Sequence, residues 1–235
     1  MSDATSQTVY FYNRHPISCE IILTKLRASR GHLDGLRPEE LFPHDQDHYG
    51  GLAATDELAR GAQVSNGSRV ADFCAGLGGT VRYLAHKYGA DVTGIELTPA
   101  RVSGAQELTR RVGLHGTARI VEGNVMDVPL PNASIDAVVS AQLMWEGMAI
   151  QPLRSIPEYR SLVESVGLRV ISTKDLTEEW VPILKERLAM YQLLREEARQ
   201  AGTPMGHDAF HKSYIRFVAL IQERKMGGVR MVATK

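Results

Sequence analysis

Two acids and a run of glycines carry the chemistry of this sequence. Asp72 lies in the apolar run Val70-Ala71-Asp72-Phe73, and Cys74-Ala75-Gly76-Leu77-Gly78-Gly79 follows at once. Glu96 stands seventeen residues after Gly79, at the tip of a second apolar run over 90–95. Gly76 and Gly78 let the backbone turn sharply and approach a ligand closely, because no Cβ stands in the way. An acid about 20 residues beyond such a turn is placed to accept two hydrogen bonds from a ribose diol. The combination points to a nucleoside ligand.

A dinucleotide fingerprint would read Gly-x-Gly-x-x-Gly, with a helix N-terminus facing a pyrophosphate. Here the third glycine, Gly79, falls early. Asp72, four residues before Gly76, would repel a pyrophosphate but suits a cationic amino-acid end. A nicotinamide oxidoreductase is disfavoured on both counts.

With Asp72 and Glu96 at these offsets, the segment resembles motif I of the class I S-adenosylmethionine-dependent methyltransferases, Asp/Glu-x-x-x-Gly-x-Gly. The stretch Glu122-Gly123-Asn124-Val125-Met126-Asp127-Val128-Pro129-Leu130-Pro131-Asn132-Ala133-Ser134-Ile135-Asp136 is similar to the next blocks of that family, with Asn124 where an Asp is common. Tyr10-Phe11-Tyr12-Asn13-Arg14-His15-Pro16 and His44-Asp45-Gln46-Asp47-His48-Tyr49-Gly50-Gly51 resemble the cap of the sarcosine/dimethylglycine and phosphoethanolamine N-methyltransferases. The resemblance is dense from Tyr10 to about Gln142 and looser beyond.

That resemblance implies S-adenosylmethionine as cofactor and S-adenosylhomocysteine as product. It implies cofactor contacts from Asp72, Ala75, Gly76, Gly78, Glu96, Leu97, Asn124, Val125 and Gln142. Asp72 and the glycine turn would hold the methionine end, Glu96 the ribose, and Asn124 and Val125 the adenine. Tyr10, His48 and Tyr49 of the cap are the catalytic candidates closing over the reacting centre. The expected acceptor is a small molecule, most simply an amine nitrogen. An O- or C-methyltransferase would share every cofactor motif, and a cofactor-binding but inactive partner protein is the alternative from another class.

Other residues admit plainer readings. His44 and His48 with Asp45 and Asp47 have the spacing of metal ligands, but the cap explains them without metal. No metal is expected. His207 and His211 suit a partly exposed helix face. Trp145 and Trp180 are candidate acceptor walls against simple packing. Tyr10, Tyr12 and Tyr49 offer aromatic faces to a cation, worth about 1–2 kcal/mol each when desolvated. Cys74 reads as a small buried spacer, with nothing nearby to activate it.

Composition narrows the partners. Lys+Arg and Asp+Glu each number 27, so no net basic field exists to hold a nucleic acid. No run approaches the ~18 apolar residues of a membrane span, and no signal-peptide core is present. Two cysteines, Cys19 and Cys74, suggest no disulfide framework. A cytoplasmic location follows, and a homodimer is the assembly considered.

The elements that must position these residues alternate strand and helix from Arg69 onward, the pattern of a parallel sheet covered on both faces. Strands are expected at 69–74, 90–95, 117–122 and 135–140, and helices at 79–88 and 99–112. Helices over 16–29, from 37 and over 55–62 build an N-terminal helical cap, residues 1–62. Residues 63–235 form the α/β Rossmann-like domain: a helix over 157–166, a strand over 168–172, a helical insertion over about 178–226 and a closing strand over 229–233. The resemblance implies the sheet order 3-2-1-4-5-7-6. Only residues 141–156 remain for a helix, a turn and the fifth strand, pieces that need roughly 35–45 residues. Either residues are absent from this sequence or the fifth strand is deleted, and its loss would open two strand edges or force the neighbours to re-pair.

Overall fold

The computed structural model describes residues 9, 10, 12, 13, 15, 17–140, 154–202 and 207–235. The chain separates into two compact units, Ile17–Leu143 and Met1–Pro16 with Met144–Lys235.

In the first unit three helices precede the sheet: α1 (Cys19–Arg30), α2 (Pro38–Asp45) and α3 (Gly51–Gly61). Helix α1 starts later than the expected 16–29, because Ser18 is the N-cap and its Oγ accepts from Ile21 N at 3.3 Å. Gly31, at φ +81°, ends it, its N–H donating to Arg27 O. Helix α3 starts four residues before the expected 55, since Gly50 takes φ +85° and turns the chain directly into it.

Strands β1 (Arg69–Phe73), β2 (Asp91–Glu96), β3 (Ala118–Glu122) and β4 (Ala137–Val139) form a parallel sheet in the order β3-β2-β1-β4, with α4 (Gly79–Tyr88) and α5 (Pro99–Arg111) between them. The central strands are apolar on both faces, as a covered parallel sheet requires. Val70, Val92 and Ile95 are fully buried, worth about 1.5–3 kcal/mol each. Strand β4 is shorter than the expected 135–140 and, among the described residues, pairs with β1 alone. Its Val138 is 52% exposed, as on an edge strand. Residues 141–153, which include Gln142 and Trp145, lie outside the described residues.

The second unit holds α6 (Ile156–Ser165), β5 (Arg169–Asp175), α7 (Thr177–Gln200), α8 (His207–Gln222) and β6 (Val229–Thr234). β5 and β6 pair antiparallel as a sheet of their own, with a bulge between Val170 and Ser172. The insertion helices α7 and α8 bury Tyr191, Tyr214 and Phe217, and the Tyr191 and Tyr214 rings lie 4.5 Å apart between centroids. Trp180 packs on Gly228, where an added Cβ would lie 2.6 Å from the indole. That contact fixes Trp180 as part of the α7–β6 packing. Among the described residues, no helix is long and apolar enough to cross a membrane.

One buried ion pair ties the helical cap to the sheet. Arg82 of α4 is fully buried, and its Nε and Nη2 donate to Asp45 Oδ2 at 3.2 and 2.7 Å. Nη1 donates to Ala105 O and Thr109 Oγ1 of α5, and Nη2 also to Leu77 O. Removing one partner of such a pair leaves a buried charge unmatched, at a cost of about 3–5 kcal/mol. Arg82→Met should therefore destabilise the protein by that amount in urea unfolding. The double variant Arg82→Met/Asp45→Leu should lose clearly less than the sum of its single changes. Additive losses would show that the pair is not coupled.

Candidate functional site

The acids and the glycine turn converge at the C-terminal ends of β1 and β2. Asp72 sits opposite Gly94 on β2 and Val139 on β4. Beyond it the chain turns through three positive-φ residues, Cys74 (61°), Gly76 (57°) and Gly78 (77°), before α4 begins. Ala75 N donates to Ile95 O at 3.0 Å, and Gly78 N to Ala75 O at 2.8 Å, closing the turn against β2.

Glu96 is buried and has a partner on each oxygen. Oε2 accepts from Gly76 N and Oε1 from Thr98 N, both at 2.9 Å. Its carboxylate thus clips the glycine turn to the start of α5. Gly123 N donates to Glu96 O at 3.0 Å, which brings Asn124 and Val125 beside the same strand tip. Asn124 forms a tight turn: its Oδ1 accepts from Met126 N and its backbone O from Asp127 N, both at 2.9 Å. The amide oxygen keeps one lone pair for an outside donor. Asn124 is exposed, while Val125 and Leu97 are half-buried.

Asp72 differs from Glu96 in its environment. It is 2% exposed, and its carboxyl makes no side-chain hydrogen bond among the described residues. Burial, with the charge of Glu96 as the second cause, pushes its carboxyl up from an ordinary 3.8 to about 8. Buried charged carboxylates are stabilised by a paired cation. Cys74, between the two acids, is open to solvent on one side but set deep in the turn. Desolvation, then Glu96, then Asp72, push its thiol up to about 12, so it is no nucleophile near neutral pH.

The cap turn lies against the far side of the glycine turn. Asp45 and His48 are buried, as is Tyr49 at 4% exposure. His48 Nε2 lies 3.0 Å from Gln46 Oε1 and 3.2 Å from Thr55 Oγ1, and Nδ1 lies 3.4 Å from Tyr49 O. Arg101 of α5 pairs with Asp47 of this turn, and a Cβ on Gly76 would lie 3.0 Å from its Nη2. Among the described residues, no group of His, Cys, Asp and Glu is placed to hold a metal. Tyr10 is 62% exposed and belongs to the other compact unit.

The structure therefore brings together Asp72, Ala75, Gly76, Gly78, Glu96, Leu97, Asn124 and Val125. It adds Arg82 and Arg101, to which the sequence reading assigned no role, and Asp45 and Gln46, which that reading offered only as part of the cap or as metal-ligand spacing. The available signal was Arg82 itself, an arginine between Val81 and Leu84 on a helix buried from Gly79 to Ala85.

The raised Asp72 value has a measurable consequence. An acid whose folded-state value exceeds its ordinary one contributes stability that is complete below 3.8 and is lost as pH rises through about 8. The stability of the ligand-free protein, measured by thermal unfolding, should fall over that window by up to about 1.4 kcal/mol per pH unit from this group. Asp72→Asn should remove that slope. Parallel pH profiles for the two proteins would overturn the assignment.

Comparison with known proteins places this geometry. Residues 70–167 match the family model described as a methyltransferase domain. The chain is similar to the probable tocopherol O-methyltransferase of Oryza sativa subsp. japonica, 32% identical over 102 residues, covering 43% of this chain and 27% of the relative. It is also similar to the glycine/sarcosine/dimethylglycine N-methyltransferase of Actinopolyspora halophila, 34% identical over 83 residues, 35% of this chain and 15% of the relative. The matched stretches thus span less than a third of either curated relative. Among solved structures, the putative sarcosine dimethylglycine methyltransferase from Galdieria sulphuraria shares the fold, with a TM-score of 0.68 and 16% identity over 77% of this chain and 82% of that one. Its likeness and the sheet order β3-β2-β1-β4 agree with a Rossmann-like architecture, and residues 70–167 carry the match to a methyltransferase domain.

Proposed function

We propose that this protein is an S-adenosylmethionine-dependent methyltransferase that acts on a small molecule, with an amine nitrogen as the acceptor. The observation that carries the cofactor reading is the pair of buried acids flanking a positive-φ glycine turn, one of them without a hydrogen-bond donor. The residues fit the cofactor group by group. Asp72 would receive the methionine ammonium, the turn 76–79 the rest of the amino-acid end, and Glu96 the ribose diol. Asn124 and Val125 would meet the adenine, with Leu97 and Ala75 as apolar walls.

The cofactor supplies a methyl group already activated by a positive sulfur, so the protein's work is alignment and exclusion of water. The buried turn from Asp45 to Tyr49 contributes to that exclusion beside the glycine turn. Tyr49 and Tyr10 are the aromatic candidates for a cationic acceptor. An ammonium acceptor must shed a proton before it attacks. The N-methyltransferase among the relatives supports the amine, and a cytoplasmic setting agrees with two free cysteines. The O-methyltransferase relative supports a second reading, in which a hydroxyl is the acceptor.

Glu96→Ala should weaken S-adenosylhomocysteine binding at least 30-fold in calorimetry, since each charge-assisted hydrogen bond is worth about 1.5–3 kcal/mol. Glu96→Gln, which keeps one acceptor oxygen, should fall between. Unchanged affinity in both variants would remove the ribose assignment. Labelled cofactor tested against sarcosine, phosphoethanolamine and a phenol separates the acceptors: transfer to the phenol alone overturns the amine.

A further inference from the structure

A chain of hydrogen bonds runs from the glycine turn through the cap turn, and the methyl-transfer reading has no use for it yet. It starts at Arg82, whose five N–H donors all find acceptors, two of the bonds going to Asp45 Oδ2 and one to Leu77 O inside the glycine turn. The other oxygen of Asp45, Oδ1, accepts from Gln46 Nε2 at 2.8 Å. A carboxylate only accepts, so this bond fixes which way the Gln46 amide points. Gln46 Oε1 is thereby turned to His48 Nε2 at 3.0 Å and must receive its proton. Thr55 Oγ1, on α3, closes the chain at 3.2 Å from the same nitrogen.

The chain also takes up the space that side chains would need in the glycine turn. A Cβ on Gly78 would lie 3.0 Å from Arg82 Nη1. On Gly79 it would overlap the Asp45 carbonyl oxygen and lie 2.7 Å from Gln46 Nε2. The second half of the turn is thus moulded by Arg82, Asp45 and Gln46, with His48 and Thr55 holding Gln46 from behind. Both ring nitrogens of His48 face oxygens of the cap itself, and the ring is 7% exposed.

We propose that Gln46 and His48 are positioning residues for the amino-acid end of the cofactor, acting through Asp45 and Arg82 on the shape of the turn 76–79. This rests on the reading of that turn as the cofactor site. In this arrangement His48 does not take the acceptor's proton. Its Nε2 proton is committed to Gln46, and its loss is felt where the turn meets the methionine end. The adenosine end, held by Glu96, Asn124 and Val125, lies outside the chain of bonds.

Two ligands separate the ends. S-adenosylhomocysteine carries the amino-acid group, and 5′-methylthioadenosine lacks it. In calorimetry Gln46→Ala and His48→Ala should each weaken S-adenosylhomocysteine about 10-fold and leave 5′-methylthioadenosine within 2-fold. His48→Gln, whose amide N–H can replace the imidazole Nε2–H, should recover S-adenosylhomocysteine affinity to within about 3-fold of the parent. Equal loss of both ligands would reduce the chain to general scaffolding and overturn the proposal. So would unchanged affinity in Gln46→Ala, or a His48→Gln variant as weak as His48→Ala. Should His48→Ala fail to fold, the half-buried Gln46→Ala carries the same test. If the unmodified protein binds neither ligand, the cofactor reading falls, and the positioning role with it.

Discussion

Everything around the candidate site depends on a fully buried guanidinium, that of Arg82. Taking an ion of that size out of water costs several kcal/mol even after relaxation, and a single ion pair does not restore it. Arg82 is tolerated because each of its five donors is used, by a carboxylate, two backbone carbonyls and a threonine hydroxyl. Its acceptors lie on α2, on the glycine turn and on α5. They can serve one planar fork together only if those three pieces hold fixed positions. Lysine, a point charge with three donors, could not replace it. The position of the cap is thereby set by hydrogen-bond geometry as well as by the apolar contacts of Leu41 and Leu36 with Leu77 and Leu108.

The acids on the opposite side of the turn obey the reverse rule. Glu96 has its charge matched by two backbone N–H groups, whereas Asp72 has burial and a like charge. Burial and the charge of Glu96 push the Asp72 carboxyl up, so it holds its proton to about 8. The Asp72 carboxyl is thus set apart from Glu96 by its lack of backbone donors. A cation bound there would act on the folded state alone and stabilise it by mass action.

The strands β1, β2 and β3 were readable because a parallel sheet covered on both faces demands apolar-rich runs, and Val70, Ala71 and Phe73, then Val92 and Ile95, then Ala118, Ile120 and Val121 supply them. Asp72 and Glu96 were readable for the opposite reason, as acids where such runs end. The start of α3 was not, because it depends on the left-handed Gly50 and not on any periodicity. Nor was the role of Arg82, since a charged residue in a helix is ordinarily solvated and only tertiary structure shows that α2 covers it. His48 was singled out by type and given to chemistry. Its burial depends on Gln46 and Thr55, whose side-chain directions no linear pattern encodes.

The networks that hold the glycine turn are built from elements ahead of β4. Glu96, the glycine turn and the Arg82–Asp45–Gln46–His48 chain are all placed by elements that end before residue 123. Their partners lie on α2, α3, β1, α4, β2 and α5, and none lies on the outer edge of β4. A shortened β4 with a half-exposed Val138 is what a strand with one neighbour should look like, and its own end is still tied to the sheet by Ser140 Oγ donating to Phe73 O. The side chains that shape the glycine turn, Arg82, Asp45, Gln46, His48 and Glu96, thus all lie ahead of β4 and within one compact unit. The geometry of the turn is set by buried hydrogen bonds that do not draw on the outer edge of β4.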